Sequence, residues 1–286
     1  GKEILDRVVE VYRRVRNTLR FLLANTADFD ITQDAVANDQ LFEIDRYALA
    51  LTRNLAAGVE ADYEKYEFHR IVQALQLFCS DDLGSFYLDI LKDRLYTSAT
   101  KSIARRSAQT ALWHITQTLV KLMAPILSFT AEEAWAVMGG GNDDSVMLHS
   151  FHQLPEVSAD EALIQRWATI RTVRAEVMKE IEAVRTSGQV GASLQAEVTV
   201  YAAGDKFAAL ASLGDDLRFV FITSAVSVVK VDAETEEKIV VTPSSHQKCD
   251  RCWHYRADVG RNPDHPELCG RCDDNLHGAG EVRSLA

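Results

Sequence analysis

Cys249-Asp-Arg-Cys252 and, sixteen residues further on, Cys269-Gly-Arg-Cys272 decide how the last part of this chain folds. Each two-residue gap lets one tight turn aim two sulfurs at a single point, and two such turns complete a tetrahedron. The spacing predicts a closed structural site, one Zn2+ held by Cys249, Cys252, Cys269 and Cys272. A rubredoxin-like iron site would use similar spacing. Two disulfides fit less well, because no apolar export segment is present and Cys79 would be left over. Four thiolates leave no open position for water or substrate, so the metal is expected to hold a fold rather than react. His254, His265 and His277 flank the cysteines and could substitute as ligands. Residues from Ser244 onward carry too little apolar content to fold without their metal.

Upstream of this tail the hydrophobic period is that of strands. Glu197-Val-Thr-Val-Tyr201 alternates, a short helix fits Asp205 to Leu213, and Phe219–Ile222, Val226–Val231 and Lys238–Val241 read as further strands. Before them Ser158-Ala-Asp-Glu161 reads as a cap for a helix with Leu163, Trp167, Ile170, Val173, Val177, Ile181 and Val184 on one face, stopped at Gly188. The acidic, proline-containing stretch around Pro155 reads as a linker, and Gly139-Gly-Gly-Asn142 breaks the helical pattern before it. Residues 1 to about 138 are helical in period. One stripe runs through Leu5, Val8, Tyr12, Val15, Leu19 and Leu22, with Arg13, Arg14, Arg16 and Arg20 on the other face. A second uses Ile44, Ala48, Leu51 and Leu55. A long third helix carries Phe68, Ile71, Leu75, Cys79, Phe86, Ile90 and Leu91. A fourth, with Ala108, Leu112, Ile115, Leu119 and Leu122, should end near Pro125. Thr130-Ala-Glu-Glu133 fits a capping box for a fifth.

The expected class is therefore mainly α: an antiparallel helical bundle over residues 1–140, a linker over 141–157, a small α/β junction module over 158–243 and a zinc module over 244–286. With 286 residues, 47% of them hydrophobic, the chain can bury a substantial core. No run approaches a membrane span, and the thiols predict an intracellular, soluble protein. A net charge of −11 argues against general coating of nucleic acid. Basic residues are confined to strips, however: Gly1 to Ala27 has six Lys/Arg against three acids, and Lys92 to Lys121 has six against one. That pattern suits a selective polyanion partner.

Catalytic motifs are missing. There is no glycine-rich phosphate loop, no His-x-Glu-x-x-His and no Gly-x-Ser-x-Gly. Gly139 to Gly141 reads as a loop, His69 as a rim histidine and Asp81-Asp82 as a solvated helix face. For RNA the residues offer more. Arg94, Lys101, Arg105 and Arg106 surround the junction of the third and fourth helices and could neutralise phosphates. Trp253 directly follows the second cysteine, with Arg251, Arg256 and Arg271 close by in sequence. A rigid aromatic among guanidinium groups suits an unstacked base. Equally, Trp253 and Tyr255 could form the miniature core of the zinc module.

Tyr12-Arg-Arg-Val-Arg-Asn-Thr-Leu-Arg-Phe21, Ser85-Phe-Tyr-Leu-Asp-Ile-Leu-Lys-Asp-Arg-Leu-Tyr96, Arg105-Arg-Ser-Ala-Gln-Thr-Ala-Leu112, Met123-Ala-Pro-Ile-Leu-Ser-Phe-Thr-Ala-Glu-Glu-Ala-Trp135 and Lys248-Cys-Asp-Arg-Cys-Trp-His-Tyr255 together resemble the C-terminal part of bacterial isoleucyl-tRNA synthetases. The helical motifs alone also resemble the valyl, leucyl and methionyl enzymes; the four-cysteine tail points to the isoleucyl type. The resemblance implies an anticodon-binding bundle, a zinc module that helps hold the anticodon, and the four cysteines as its ligands. It implies Trp253 as a stacking platform for an anticodon-loop base, with Arg251, Arg94, Arg105 and Arg106 as phosphate contacts. The implied partners are tRNA(Ile) and the remainder of the same synthetase polypeptide, in a cytoplasmic monomer. ATP and Mg2+ would belong to a catalytic portion whose signature motifs are missing here, so the chain alone is expected to be inactive. Its acidity predicts weak, salt-sensitive RNA binding. The competing expectation is a stand-alone zinc-stabilised helical module that binds protein and no RNA.

Overall fold

The computed structural model describes residues 1–286 except Asn142, Asp160 and Ser284, and except the side chains of Ile4 and Arg7. Contacts divide the chain into two compact units. The first comprises Gly1–Leu41, Asp45–Asp89 and Arg106–Ala159; the second comprises Phe42–Ile44, Ile90–Arg105 and Asp160–Ala286.

The chain is mainly α, as expected. Its early elements are α1 (Lys2–Asn25), α2 (Ile31–Asp34), α3 (Glu43–Glu64), α4 (Phe68–Leu77), α5 (Leu88–Thr97), α6 (Ile103–Met123) and α7 (Ser128–Val137). Within the first unit α1 packs on α4 and α7. Val15, Leu19 and Leu22 of its stripe are buried, whereas Leu5 and Val8 are 66% and 59% exposed, so the first two turns do not enter the core. The expected long third helix is interrupted: Phe78–Tyr87 winds as a π-helix between α4 and α5. This register change still buries Phe78, Cys79, Leu83, Phe86 and Tyr87. Burial pushes the Cys79 thiol up to about 12, leaving it an inert core residue. Tyr87 donates to Asp45 at 2.7 Å, pinning the segment to α3.

The capping box at Thr130 does not form. Helix α7 starts two residues earlier, because Thr130 is taken by the Tyr12 hydroxyl at 3.0 Å and Glu133 by Arg16 at 2.7 and 2.8 Å. The stretch around Pro155 is held along α3: Arg46 donates to the Ser158 carbonyl, Arg53 to that of Pro155, and Phe151 stacks on Tyr63 at 6.0 Å. Asn142 and Asp160, which fell in the expected glycine break and the expected cap for the next helix, lie outside the described residues.

In the second unit α8 (Glu161–Thr186) buries Leu163, Trp167, Ile170, Val173, Val177 and Ile181 of the stripe read from sequence, while Val184 at its end is only half-buried. Gly188 follows at φ 79°, the left-handed stop that favours glycine. A three-stranded sheet in the order β2-β1-β3 comes next: β1 (Ala196–Ala202) runs parallel to β2 (Ala225–Lys230) and antiparallel to β3 (Lys238–Pro243). Helices α8 and α9 (Gly204–Ala211) cover it. Phe219–Ile222, expected as a strand, belongs instead to the short helix α10 (Leu217–Phe221). All five residues of α10 are buried, so the apolar run carried no period that could separate strand from helix. Ile222 ends it at φ 54°, a strained setting for a β-branched residue. The tail adds a two-stranded ribbon, β4 (Gln247–Lys248) with β5 (Tyr255–Arg256), and α11 (Gly270–His277).

Candidate zinc knuckle and nucleic-acid interface

The β4–β5 ribbon presents the first cysteine pair and the start of α11 presents the second. Cys249 N–H donates to the His254 carbonyl, and Trp253 N–H to the Cys249 carbonyl, both at 2.9 Å, which closes the first turn. Trp253 closes it at φ 65°. Cys269 is the N-cap of α11, and its N–H donates to Cys249 Sγ at 3.3 Å. The four sulfurs are buried, lie within 4.8 Å of one another and form no disulfide. Cys252 and Cys269 Sγ are 3.8 Å apart. A tetrahedron with Zn–S bonds of about 2.3 Å has edges of about 3.8 Å, so the donor set fits zinc. Crowding favours a bound cation. Hydrogen bonds from Cys252, Cys269 and Cys272 hold the Cys249 thiol far below its usual range, while those from Cys249, Cys252 and Cys269 drive Cys272 far above it. Four thiolates this close can coexist only around a positive ion.

The three flanking histidines are not part of this group. His254 is buried edge-on against Phe219, with ring centroids 5.7 Å apart. His265 and His277 stack on each other at 4.0 Å and form a separate cluster with Asp273.

An ionic hub lies beside the cysteines. Asp93 on α5 receives Arg271 at 2.8 Å through both oxygens and Arg283 at 2.8 Å. Burial opposes the Asp93 charge, but Arg271 and Arg283 more than offset it and hold the carboxyl well below the usual carboxylate range. Glu281 takes the other side of Arg271 at 3.3 Å and accepts from Asn275 at 3.0 Å. The Phe219 ring receives Arg218, Arg271 and Arg283 at 4.3, 5.0 and 3.4 Å from its centroid.

Residues 45–200 match the family described as "Anticodon-binding domain of tRNA ligase", which is more than half of the chain. The chain belongs to that family. Residues 247–275, which contain all four cysteines, match "Zinc finger found in FPG and IleRS". Over its whole length the chain is 67% identical to an isoleucine–tRNA ligase of Azoarcus sp. (strain BH72), covering 31% of that relative. It is 62% identical over its whole length to the isoleucine–tRNA ligase of Aromatoleum aromaticum and 61% identical over 99% to that of Dechloromonas aromatica, covering 30% of each. The chain thus spans about a third of the length of these curated relatives.

The anticodon-binding family raises the question of which residues face solvent. Trp253 does: it is 59% exposed, so it is not the zinc module's core. That core is Leu268 with the cysteines, and Val259 packs on it. The Trp253 indole N–H donates to the Asp250 carbonyl at 3.1 Å, and Lys248 Nζ sits 5.2 Å from the ring centroid.

The arginines depart from expectation. Arg94 is fully buried, its guanidinium 4.9 Å from the Phe42 ring centroid, and cannot meet a surface phosphate as it stands. Arg106 is also buried and is taken by Gln109 at 2.7 Å, the Asp28 carbonyl at 3.1 Å and Asp34 at 3.3 Å. Each arginine buries its charge against internal partners, which a sequence cannot separate from a solvated helix face. Arg105, half-buried, donates to the Leu95 and Thr100 carbonyls at 3.3 Å. Arg251 donates to the Thr97 and Tyr96 carbonyls. Sequence reasoning missed Asp93, Arg283 and Glu281. The one available signal was that Asp93 is the only acid between Lys92 and Lys121.

Proposed function

We propose that this chain is the anticodon-recognising part of an isoleucine–tRNA ligase, and that Trp253 stacks on an unpaired base of the anticodon loop of tRNA(Ile). The observation that supports this reading best is an indole open to solvent at a left-handed backbone position, fixed between a cysteine ligand and a cationic neighbour, Lys248. Stacking of that kind contributes about 1–3 kcal/mol per base and needs a rigid aromatic face. On this reading one structural Zn2+ held by Cys249, Cys252, Cys269 and Cys272 supplies the rigidity. Arg251 and Arg105, half-exposed, are the phosphate contacts that remain available. The remainder of the synthetase polypeptide carries the ATP- and Mg2+-dependent activation of isoleucine and its transfer to tRNA. The working form is a cytoplasmic monomer, and the divisions at residues 140, 157 and 243 mark its functional segments.

The test is binding of isoleucine tRNA and of an anticodon-substituted variant to the wild-type chain and to Trp253→Ala. The wild type should discriminate between the two RNAs and weaken as salt rises; Trp253→Ala should lose about 1–3 kcal/mol of binding and most of the discrimination. Unchanged discrimination in Trp253→Ala would overturn the role given to the indole. No RNA binding by the wild type at low salt would overturn the whole reading.

A further inference from the structure

Tyr96 occupies the last turn of α5 and is 58% exposed, nearly as open as Trp253. Both lie in the second unit. The turns between the cysteine pairs each contribute one arginine, and both arginines latch onto the last turn of α5. Arg251, from the Cys249–Cys252 turn, donates to the Thr97 carbonyl at 2.5 Å and lies 3.5 Å from that of Tyr96. Arg271, from the Cys269–Cys272 turn, makes its two-oxygen contact with Asp93 and reaches Thr97 Oγ1 at 3.3 Å. Asp93, Tyr96 and Thr97 span little more than one helical turn, so the backbone under Tyr96 is tied at several points to the knuckles that carry Trp253.

Arg105 donates to the Leu95 carbonyl one residue before Tyr96, Lys101 follows α5 in sequence and is exposed, and Lys248 sits over the Trp253 ring. Asp250, exposed in the first cysteine turn, offsets part of that positive charge. Two exposed aromatics whose backbones are linked through Arg251 suit a strand with bases splayed from an RNA loop better than they suit a duplex, whose bases are already stacked.

We infer that Tyr96 is a second base-stacking platform, held by the Arg251 and Arg271 latches at a fixed position relative to Trp253, so that the surface takes two unpaired bases of a single-stranded loop. This rests on the RNA reading of Trp253 and adds a residue to it. Arg251 and Asp93 then act as positioning residues.

The experiment uses the zinc-loaded 286-residue chain and an anticodon stem-loop RNA carrying 2-aminopurine at each unpaired loop position in turn. Wild type should quench the probe at two positions. Tyr96→Ala should restore fluorescence at one and weaken binding about fivefold to a hundredfold. Trp253→Ala should restore the other, and Tyr96→Phe, which keeps the ring, should bind within about twofold of wild type. Zinc content should stay the same in all three variants. Tyr96→Ala that binds like wild type and restores no position, while Trp253→Ala weakens binding, would remove the second platform and leave the first. If neither Trp253→Ala nor Tyr96→Ala changes binding or quenching, both assignments fall together.

Discussion

The α6 core and the cysteine module reach order by opposite routes. Along α6, Ala108, Leu112, Ile115, Leu119 and Leu122 are 1% exposed or less, and this apolar face, with buried hydrogen bonds from Arg106 and Gln109 beside it, accounts for its place in the structure. The module offers only Leu268, Val259 and four thiols that repel one another once ionised. Its shape depends on a central cation and on a ring of ion pairs around Asp93. The first region is therefore built to tolerate chemistry at its surface. On the proposed reading, the second uses a metal ion to fix the position of Trp253.

Removing the metal should separate the two regions most sharply. Structural zinc contributes about 10–16 kcal/mol to small modules of this type, so chelation should unfold residues 244–277 while the far-UV helical signal stays nearly intact. Loss of helicity along the whole chain would show that the division is wrong. The next largest effect is expected from Asp93→Ala, which leaves Arg283 buried without its ion-pair partner and Arg271 with Glu281 alone. Breaking such a pair costs about 3–5 kcal/mol, read as a lower melting temperature for the second unit with zinc still bound. A comparable loss, about 2–5 kcal/mol, should follow Leu112→Ala through the cavity it leaves. There the thermal transition of the helical unit should move while zinc affinity stays as in wild type.

Legibility in sequence divides along the same line. The stripes through Leu112 and Trp167 were visible because a helix buries one face at a fixed period, and the knuckles because cysteine spacing fixes sulfur geometry. Phe219–Ile222 misled because a fully buried run has no exposed face to set its period. Thr130 misled because its hydroxyl is claimed by Tyr12, more than a hundred residues away in sequence. Arg94 and Arg106 could not be told from solvated arginines, since their partners come together only in the fold. For the same reason the Asp93 hub, assembled from residues 93, 271, 281 and 283, left almost no local trace.

The smallest effect is pH dependence in the helical unit. His114 Nδ1 and His152 Nε2 share a hydrogen bond at 2.9 Å, and burial lowers both rings to about 4. Below about 6.5 the unfolded chain takes up protons that the folded pair refuses. Stability should therefore fall as pH drops from about 6.5 towards 4, by a few kcal/mol for the pair once the partial exposure of both rings is allowed for, and change no further from this source below that. Urea denaturation of the zinc-loaded chain at pH 7 and pH 5, with His114→Gln/His152→Gln as the flattened control, measures it. An equal slope in the control would assign the effect elsewhere.

Zinc release and RNA release followed together, during stepwise chelation of the chain bound to anticodon stem-loop RNA, test the central claim most directly. The two should depart in proportion while the helical signal holds, because the indole keeps its place only while the thiolates are clamped. RNA that stays fully bound after the last zinc has left would contradict the account.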